Sequence, residues 1–473
     1  MNRTLGVAAL ALALLVPAPA LAHAHLKRSD PAAGSRLTSP QVIRLWFSEA
    51  PEISMTFAAL KDSSGNPYAL GSAERERSGQ MGIAFPVLRP LPPGRYTMTW
   101  RTAASDGHPS SGKFTFVVVA PPTIAGATGA PGTPTESIDS AMPPTGMTMP
   151  GMESSSHRMD PSPPVEDVDA ASSIGNSVAR ALLFVALLAL IGTVAFQWLV
   201  LPRARTLSIG LKQRMSRRAA TLGAVSALLV IVVALLRLHL ESQMMNAMPD
   251  MPGMQGMSVR GMVMQTDWGV GFRIQLAAAV AAFVGFTLAV RRVRGAWLVA
   301  GASAVVLAIT PALGGHAAAS PRFTSLMIAS DWLHVLGGAS WLGSLLCVMA
   351  IGVPIALKLD PPTRWSSVAS LVNAFSPIAL VSAGVVVASG LFASWVHLEH
   401  LAALWQTSYG QALLAKLFLV AITFGIGAYN FKRVQPQLSG QTGTERLRKS
   451  AVVELGTGFL ILLVTGLLTG ISP

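Results

Sequence analysis

The sequence predicts an exported all-β domain, an immunoglobulin-like Greek-key sandwich or barrel, followed by an all-α membrane bundle of about eight transmembrane helices. Only 12% of the 473 residues are charged, about half the share of an average soluble protein. Short alternating apolar segments occupy residues 23–120, and long apolar runs occupy residues 174–473. Residues 1–22 combine Arg3, an apolar run and a terminal Ala-Leu-Ala, which is the pattern of a secretory signal peptide.

Five segments of the exported domain have the composition of strands: 42–47, 55–60, 83–88, 95–101 and 113–119. They are short, rich in β-branched and aromatic residues, and separated by turn sequences such as DSSGNP and PLPPG. This spacing is typical of an antiparallel sandwich or barrel. Residues 121–173 are rich in Pro, Ser, Gly, Thr and Met, and we expect a disordered tether there.

Eight apolar runs are each long enough to cross a hydrocarbon core of roughly 30 Å. They lie near 175–201, 219–240, 269–290, 296–314, 325–352, 368–396, 411–431 and 450–471. Lysine and arginine concentrate in the odd-numbered connecting loops, which the positive-inside rule places in the cytoplasm. We therefore expect a multi-pass protein of the plasma (inner) membrane, with the β domain and the C-terminus on the periplasmic side. The formal charge of +13 is explained by these loops, so we expect no nucleic-acid partner.

Candidate metal ligands collect on the predicted outer side, where all nine histidines fall. The candidates in or next to the spans are His239, His316, Asp331, His334, His397 and His400. Asp331 and His334 are three residues apart, as are His397 and His400, so each pair shares one face of a helix. Ionisable residues inside a membrane usually mark a pathway. The simpler interpretation of a single histidine at a helix end is an interfacial hydrogen-bonding group.

A methionine-rich segment from His239 to Met257 is interrupted by Pro, Gly, Asp and Asn and cannot form a core. Its thioethers are those of Met244, Met245, Met248, Met251, Met254 and Met257. Soft sulfur ligands favour Cu(I), and imidazole suits Cu(II). The segment therefore predicts a Cu(I)-binding strip at the outer mouth of the bundle. The alternative is low-complexity drift in a loop without packing constraints.

The new N-terminus depends on the signal cleavage site. A cut after Ala-Leu-Ala leaves His23-Ala24-His25, whose amine and imidazole nitrogens suit Cu(II), whereas a cut after Ala24 makes His25 the first residue. Further along, Asp106 and His108 are two residues apart and share one face of an extended segment. Taken alone, this spacing is more often a turn than a metal site.

Motifs in both parts resemble the copper resistance proteins CopC and CopD. The segments HAHLKRSDPAAGSRL, IRLWFSEAPE and SDGHPSSGKFTFVV resemble CopC, and SDWLHVLGGASWLGSLL, GHAAAS, YGQALLAKLFLV and LRKSAVVELGTGFLILLV resemble CopD. The resemblance implies a Cu(II) site at His23, in preference to His25, with Asp106 and His108 as further ligands and Glu49 nearby. The resemblance to CopD implies that copper moves across the inner membrane, usually inward.

The sequence contains neither a P-loop nor a DKTG motif. We therefore expect no enzymatic activity, only passive or field-driven copper transport, with periplasmic copper carriers as partners. One alternative is copper sequestration without transport, which is favoured by the scarcity of ligands on the inner side, where Cys347 and Met349 are the only soft candidates. The other alternative is a haem-binding electron-transfer or metal-reducing protein that uses histidines such as His334 and His397.

Three further polar residues in or next to the spans have simpler interpretations. We expect Lys416 to extend towards the outer surface and Glu454 to pair with a loop arginine. Arg237 is expected either to tune the site at His239 or to anchor the end of its helix. All three are assigned structural roles at this stage.

Overall fold

The computed structural model describes residues 26–48, 50–76, 79, 81–103, 109–120, 168–246, 259–313, 323–397, 402–438 and 440–469. The first part is a β sandwich and the second is a set of long apolar helices, which confirms the predicted fold class.

Nine strands form the two sheets of the sandwich. They are β1 Leu26–Asp30, β2 Arg36–Leu37, β3 Val42–Phe47, β4 Phe57–Asp62, β5 Pro67–Tyr68, β6 Glu74–Arg75, β7 Gly82–Pro86, β8 Gly94–Ala103 and β9 Pro109–Val118. The strand orders are β1-β3-β7-β6 and β2-β9-β8-β4-β5, and all pairs are antiparallel except β2 with β9. The five predicted segments correspond to β3, β4, β7, β8 and β9. The other four strands are too short or too polar to show an alternating pattern.

The core of the sandwich is formed by the side chains that point inward at every second position of the longer strands. In β3, Ile43, Leu45 and Phe47 are buried while their neighbours are partly exposed. The facing sheet contributes Met98 and Trp100 of β8 among other apolar side chains. Phe47 and Trp100 meet edge to face with ring centroids 5.1 Å apart, so the two sheets are tied together near the end of β3.

Tyr96 is a buried phenol in this core, and its hydroxyl donates a hydrogen bond to the carbonyl of Pro92 at 2.7 Å. Burial raises the pKa of Tyr96 from 10.0 to about 12. A folded-state pKa above the unfolded one stabilises the domain fully below about pH 10, and this stabilisation is lost as the pH rises towards 12. A difference absorbance titration of the full chain against Tyr96→Phe should therefore show one phenol that ionises near pH 12. A midpoint near 10.0 would contradict the buried environment.

Eight helices of the described chain are long and apolar enough to span a bilayer, as predicted. They are α1 Gly175–Arg203, α2 Ile209–Gln243, α3 Trp268–Val290, α4 Ala296–Leu313, α5 Thr324–Ala356, α6 Thr363–Val396, α7 Tyr409–Gln437 and α8 Gln441–Leu468. Two short helices, Val259–Gln265 and Ala403–Gln406, precede α3 and α7.

The helix that contains α2 continues to Asn246, which differs from the loop expected after residue 240. His239, Met244 and Met245 therefore lie on a helix. The reason is local, because the segment LESQMMN has no Gly or Pro, and the first helix-breaking residue is Pro249. The predicted strip is thus helical at its start, and residues 247–258 lie outside the described part.

Successive helices run in opposite directions. The first residues of the odd-numbered helices therefore lie at the same end of the bundle as the last residues of the even-numbered helices. Gly175 of α1 lies beside Leu240, Ala312 of α4 clusters with residues of α5 and α6, and Tyr409 of α7 clusters with Leu468 of α8. We call this the histidine end, because His239, His334 and His397 lie in the halves of their helices nearest to it. The opposite, basic end carries cations in the connecting loops and the adjoining helix ends, namely Arg203, Lys212, Arg291, Lys358 and Lys432.

The helices α1 and α5 touch backbone to backbone. A Cβ atom added to Gly192 would lie 2.6 Å from the carbonyl oxygen of Gly343, and one added to Gly343 would lie 2.8 Å from the Cα of Gly192. Such distances leave no room for any side chain, so this crossing requires glycine on both helices.

Candidate metal centre

The predicted Cu(II) ligands of the β domain lie outside the described residues, but the strands that flank them are described. Leu26, which follows His25, pairs with Phe47, and Glu49 follows Phe47 by two residues. Asp106 and His108 lie between Ala103 and Pro109, the paired ends of β8 and β9. The ring contact between Phe47 and Trp100 joins these strand ends at one end of the sandwich. His23, His25, Glu49, Asp106 and His108 remain predicted ligands.

The other predicted ligands divide into three groups. His316, His400, Met248, Met251, Met254 and Met257 lie outside the described residues. Met244, Met245 and His397 are described only as helical backbone. The side chains of His239, Asp331 and His334 are described.

The structure holds His334 inside the bundle, ten residues beyond the start of α5, or about 15 Å along the helix. Its Nδ1 atom lies 2.9 Å from the Oγ of Ser389 on α6. Ser389 donates its single hydroxyl hydrogen to the backbone carbonyls of Val385 (2.7 Å) or Val386 (3.2 Å), so it accepts a hydrogen bond from Nδ1–H of His334. This tautomer leaves the lone pair on Nε2, which is how a neutral imidazole binds a metal.

A close helix crossing sets the distance between His334 and Ser389. A Cβ atom added to Gly337 would lie 3.1 Å from the carbonyl oxygen of Ser382, so α5 and α6 approach closely just below the histidine. Ser330, one turn above, donates a hydrogen bond to the carbonyl of Ser389 at 3.3 Å. The imidazole is therefore oriented by an acceptor on a neighbouring helix, as in protein metal sites where an outer partner fixes the ligand.

Lys416 of α7 lies within electrostatic range of this site, and the expectation that its side chain extends towards the outer surface stays a prediction. It lies eight residues beyond Ser408, at a depth similar to that of His334, and its charge interacts with Asp331 and with His334. Tyr409 also interacts electrostatically with Asp331. The sequence signal for Lys416 was its position inside an apolar span, but the partner could not be identified without the helix packing.

His239 occupies a different environment. It is exposed on α2, with its Nε2 atom 3.0 Å from the amide nitrogen of Gln243 one turn later. Arg237, two residues before it, lines a small cavity with Gln275 and Thr310. The cavity lies between α2, α3 and α4. Arg237 therefore lies beside two neighbouring helices as well as near the end of its own.

Towards the basic end, the soft side chains are packed in apolar surroundings. Cys347 is fully buried in the core shared by α1, α5 and α6, and Met349 packs against the same core. Among the described residues, no three His, Cys, Asp or Glu side chains lie close enough together to hold a metal ion. Asp331 and His334 thus lie three residues apart on α5 with Lys416 in electrostatic range of both, and Cys347 lies in no ligand cluster of the described residues.

Glu454 of α8 does not pair with a loop arginine, contrary to the sequence-based expectation. Its carboxylate, 3% exposed, accepts hydrogen bonds from Nε1 of Trp341 at 3.2 Å and from Nδ2 of Asn430 at 3.0 Å. Helix α8 is packed against α1, α5 and α7 at this level, so the loop arginines lie a turn or more away along the helix.

In the described part of the chain, a β sandwich is followed by eight helices long and apolar enough to span a membrane, and one of them carries a histidine oriented by a serine of its neighbour. Comparison with known proteins gives the family. The family described as "CopC domain" matches residues 26–119, "Copper resistance protein D-like, N-terminal domain" matches 170–321, and "Copper resistance protein D" matches 369–468. The chain belongs to the CopC–CopD family of copper resistance and copper transport proteins.

The chain is similar to the following individual proteins. The copper transport protein CutJ of Bacillus subtilis is 26% identical over 96% of this chain and 75% of its own length. Copper resistance protein C of Pseudomonas syringae is 34% identical over 25% of this chain and 98% of its own length. The crystal structure of PcoC, a methionine-rich copper resistance protein of Escherichia coli, covers 20% of this chain and 99% of PcoC at 32% identity, with a TM-score of 0.19.

Proposed function

We propose that this protein binds copper on the periplasmic side of the inner membrane and moves it inward through the helix bundle. The observation that carries the proposal is His334, a neutral imidazole oriented by Ser389 inside a membrane-spanning helix. Burying an imidazole there with its Nε2 lone pair available has a cost that binding a cation would offset. The family supports copper as the cation.

In this proposal the β domain acts first. His23, Asp106, His108 and Glu49 bind Cu(II) at the end of the sandwich where β1, β3, β8 and β9 meet. Carboxylate and imidazole ligands suit Cu(II). Copper carriers of the periplasm deliver the ion, and the tether lets the loaded domain reach the bundle.

The methionine-rich segment acts next, with Met244, Met245, Met248, Met251, Met254 and Met257 as Cu(I) ligands. Conversion of Cu(II) to Cu(I) takes one electron from a reductant outside the chain. From the thioethers the ion passes to the membrane ligands His239, His316, Asp331, His334, His397 and His400. Lys416 neutralises Asp331 before the copper arrives, which lowers the cost of a buried carboxylate.

Inward movement needs no nucleotide. A cation that enters a cell with a negative interior gains about 2.3 kcal/mol per charge per 100 mV. Cu(I) gains a part of this free energy at each step on the way from the histidine end to the basic end. Export against the same field would require another source of energy.

The experiment is copper uptake into sealed, oriented vesicles with Cu(I) outside and a Cu(I) chelator inside. We expect the full chain to carry copper inward. In a second arm, Cu(II) and a reductant are supplied outside. A variant without residues 26–120 should then need more external copper to reach the same rate, because it lacks the domain that captures Cu(II). Tight binding with no copper crossing would refute transport.

One observation favours sequestration as the second candidate function. The described soft side chains towards the basic end, Cys347 and Met349, pack in an apolar core and offer no exit site. A sequestering protein would saturate at a fixed number of copper ions per chain, whereas a transporter would continue to fill the vesicle. A visible absorption spectrum of the same preparation tests for haem.

A further inference from the structure

We infer that Glu454 is a proton-binding site in the half of the bundle nearest the basic end. The inference goes beyond copper transport and does not depend on it. It rests on four observations. The carboxylate has no cationic partner among the described residues, and Oδ1 of Asn430 accepts no hydrogen bond there. Both hydrogen-bonding partners of Glu454 lie in π-helical segments, and a row of polar groups leads to the site.

Glu454 has no cationic partner in the described structure. Its side chain bonds only to Trp341 and Asn430, both neutral. The titratable groups on the helices that pack around it and on its own helix form no ion pair with it: Arg180, Asp331, His334, Cys347, Arg364, Tyr409, Lys416, Tyr429, Lys432, Arg433, Glu445, Arg446, Arg448 and Lys449. An ionised carboxylate in such a site is costly, so binding a proton is favourable.

Asn430 can serve both protonation states of Glu454. Its Nδ2 donates to the carboxylate, while its Oδ1 is buried and accepts no hydrogen bond within the described residues. A half-turn of the amide exchanges donor for acceptor, so Oδ1 would accept a hydrogen bond from the protonated acid. Trp341 can donate to Glu454 in either state. In both protonation states of Glu454, each hydrogen-bond donor at the site can therefore face an acceptor.

Both partners of Glu454 lie in π-helical segments. Trp341 is in Ala339–Gly343, and Asn430 is in Asn430–Val434. Such insertions into α-helices frequently mark functional sites. A Cβ atom added to Gly427 would lie 3.9 Å from Oε1 of Glu454, so α7 keeps the space beside the carboxylate free of a side chain.

A row of polar side chains links this site with the histidine end. On α7, Lys416, Thr423 and Asn430 recur every seven residues and share one face. Each interacts with a different neighbour: Lys416 electrostatically with Asp331, Thr423 by donating to Thr457 at 3.0 Å, and Asn430 by donating to Glu454. We call Lys416, Thr423, Thr457, Asn430 and Glu454 the polar row.

The donor set favours a proton over copper as the ligand of Glu454. The available atoms are oxygens of a carboxylate and an amide, with no sulfur or imidazole nitrogen bonded to them, and Cu(I) prefers those softer ligands. One O–H bond forms when the proton binds and the same bond breaks when it leaves. The proton comes from the aqueous phase and returns to it.

Infrared difference spectroscopy of the full chain in lipid vesicles tests the inference without copper. On acidification within a pH range well above about 4, where exposed carboxylates stay ionised, we expect the carbonyl band of a protonated carboxylic acid to appear, and Glu454→Gln to remove it. Glu445→Gln is the matched control, because Glu445 is exposed on the same helix and bonds to Gln441 at 2.9 Å. This control should leave the band unchanged.

Trp341→Phe provides a second variant in case Glu454→Gln does not fold. It removes one hydrogen bond to the carboxyl group, so the same band should move to a different frequency. The inference is overturned if a folded Glu454→Gln protein keeps the band, or if Trp341→Phe leaves its frequency unchanged. It is also overturned if the band is present at every pH, since Glu454 would then be a permanently protonated structural group.

Discussion

Replacement of His334 by alanine is expected to reduce copper uptake by the full chain to the level of protein-free vesicles. The imidazole combines a metal-binding nitrogen with an orienting partner on a neighbouring helix inside the span. Its loss removes a ligand inside the span, where water cannot replace it. Uptake should be measured in the vesicle assay, and copper binding to the β domain should be unchanged.

Ser389→Ala tests whether the orientation of His334 matters. The substitution keeps the imidazole but removes the acceptor that fixes Nδ1–H. Loss of such an outer partner typically lowers metal affinity by about 10- to 100-fold. Ser394→Ala is the matched control, since Ser394 lies on the same helix and bonds only to the carbonyl of Gly390, at 2.8 Å. Equal uptake by the Ser389 and Ser394 variants would exclude the proposed role of Ser389.

Replacement of Gly343 by alanine should have the largest effect on the stability of the bundle. The added methyl group would meet the backbone of Gly192 and the carbonyl of Leu188, and neither can rotate away as a side chain can. Overpacking usually costs about 1–3 kcal/mol, and here α1 and α5 must separate along their length. We expect loss of monodisperse protein after detergent extraction, or a clearly lower unfolding temperature.

Gly384→Ala is the control for this prediction. Gly384 lies in α6, and an added Cβ atom would meet nothing within 4 Å. Alanine at such a position should be neutral or stabilising by up to about 1 kcal/mol, because it has the higher helix propensity. Similar stability of the Gly343 and Gly384 variants would mean that α1 and α5 do not cross at Gly192 and Gly343.

Much of the fold could be predicted because the pattern of apolar residues within a single segment shows whether it is a strand or a spanning helix. Strand β3 matches the predicted segment 42–47, since its side chains alternate between the core and the surface. The eight spans were visible as long apolar runs. The strands β1, β2, β5 and β6 were not predicted, because short polar segments are held by pairing with distant strands and not by their own composition.

The membrane site was predicted only in part. The spacing of Asp331 and His334 placed them on one helical face, and the structure has both on α5. Their partners Ser389 and Lys416 come from α6 and α7, and only helix packing brings these residues close. The role expected for Glu454 was wrong for the same reason: a single polar residue in an apolar span does not reveal which neighbour it meets.

The most direct test of the central claim is the voltage dependence of copper uptake without nucleotide. Vesicles with the full chain would be given an inside-negative potential, and Cu(I) entry would be compared with entry at zero potential. We expect steady-state accumulation of free copper to rise by about fifty-fold per 100 mV for a singly charged ion moving alone. Binding that saturates at the same copper content with or without the potential would contradict inward transport.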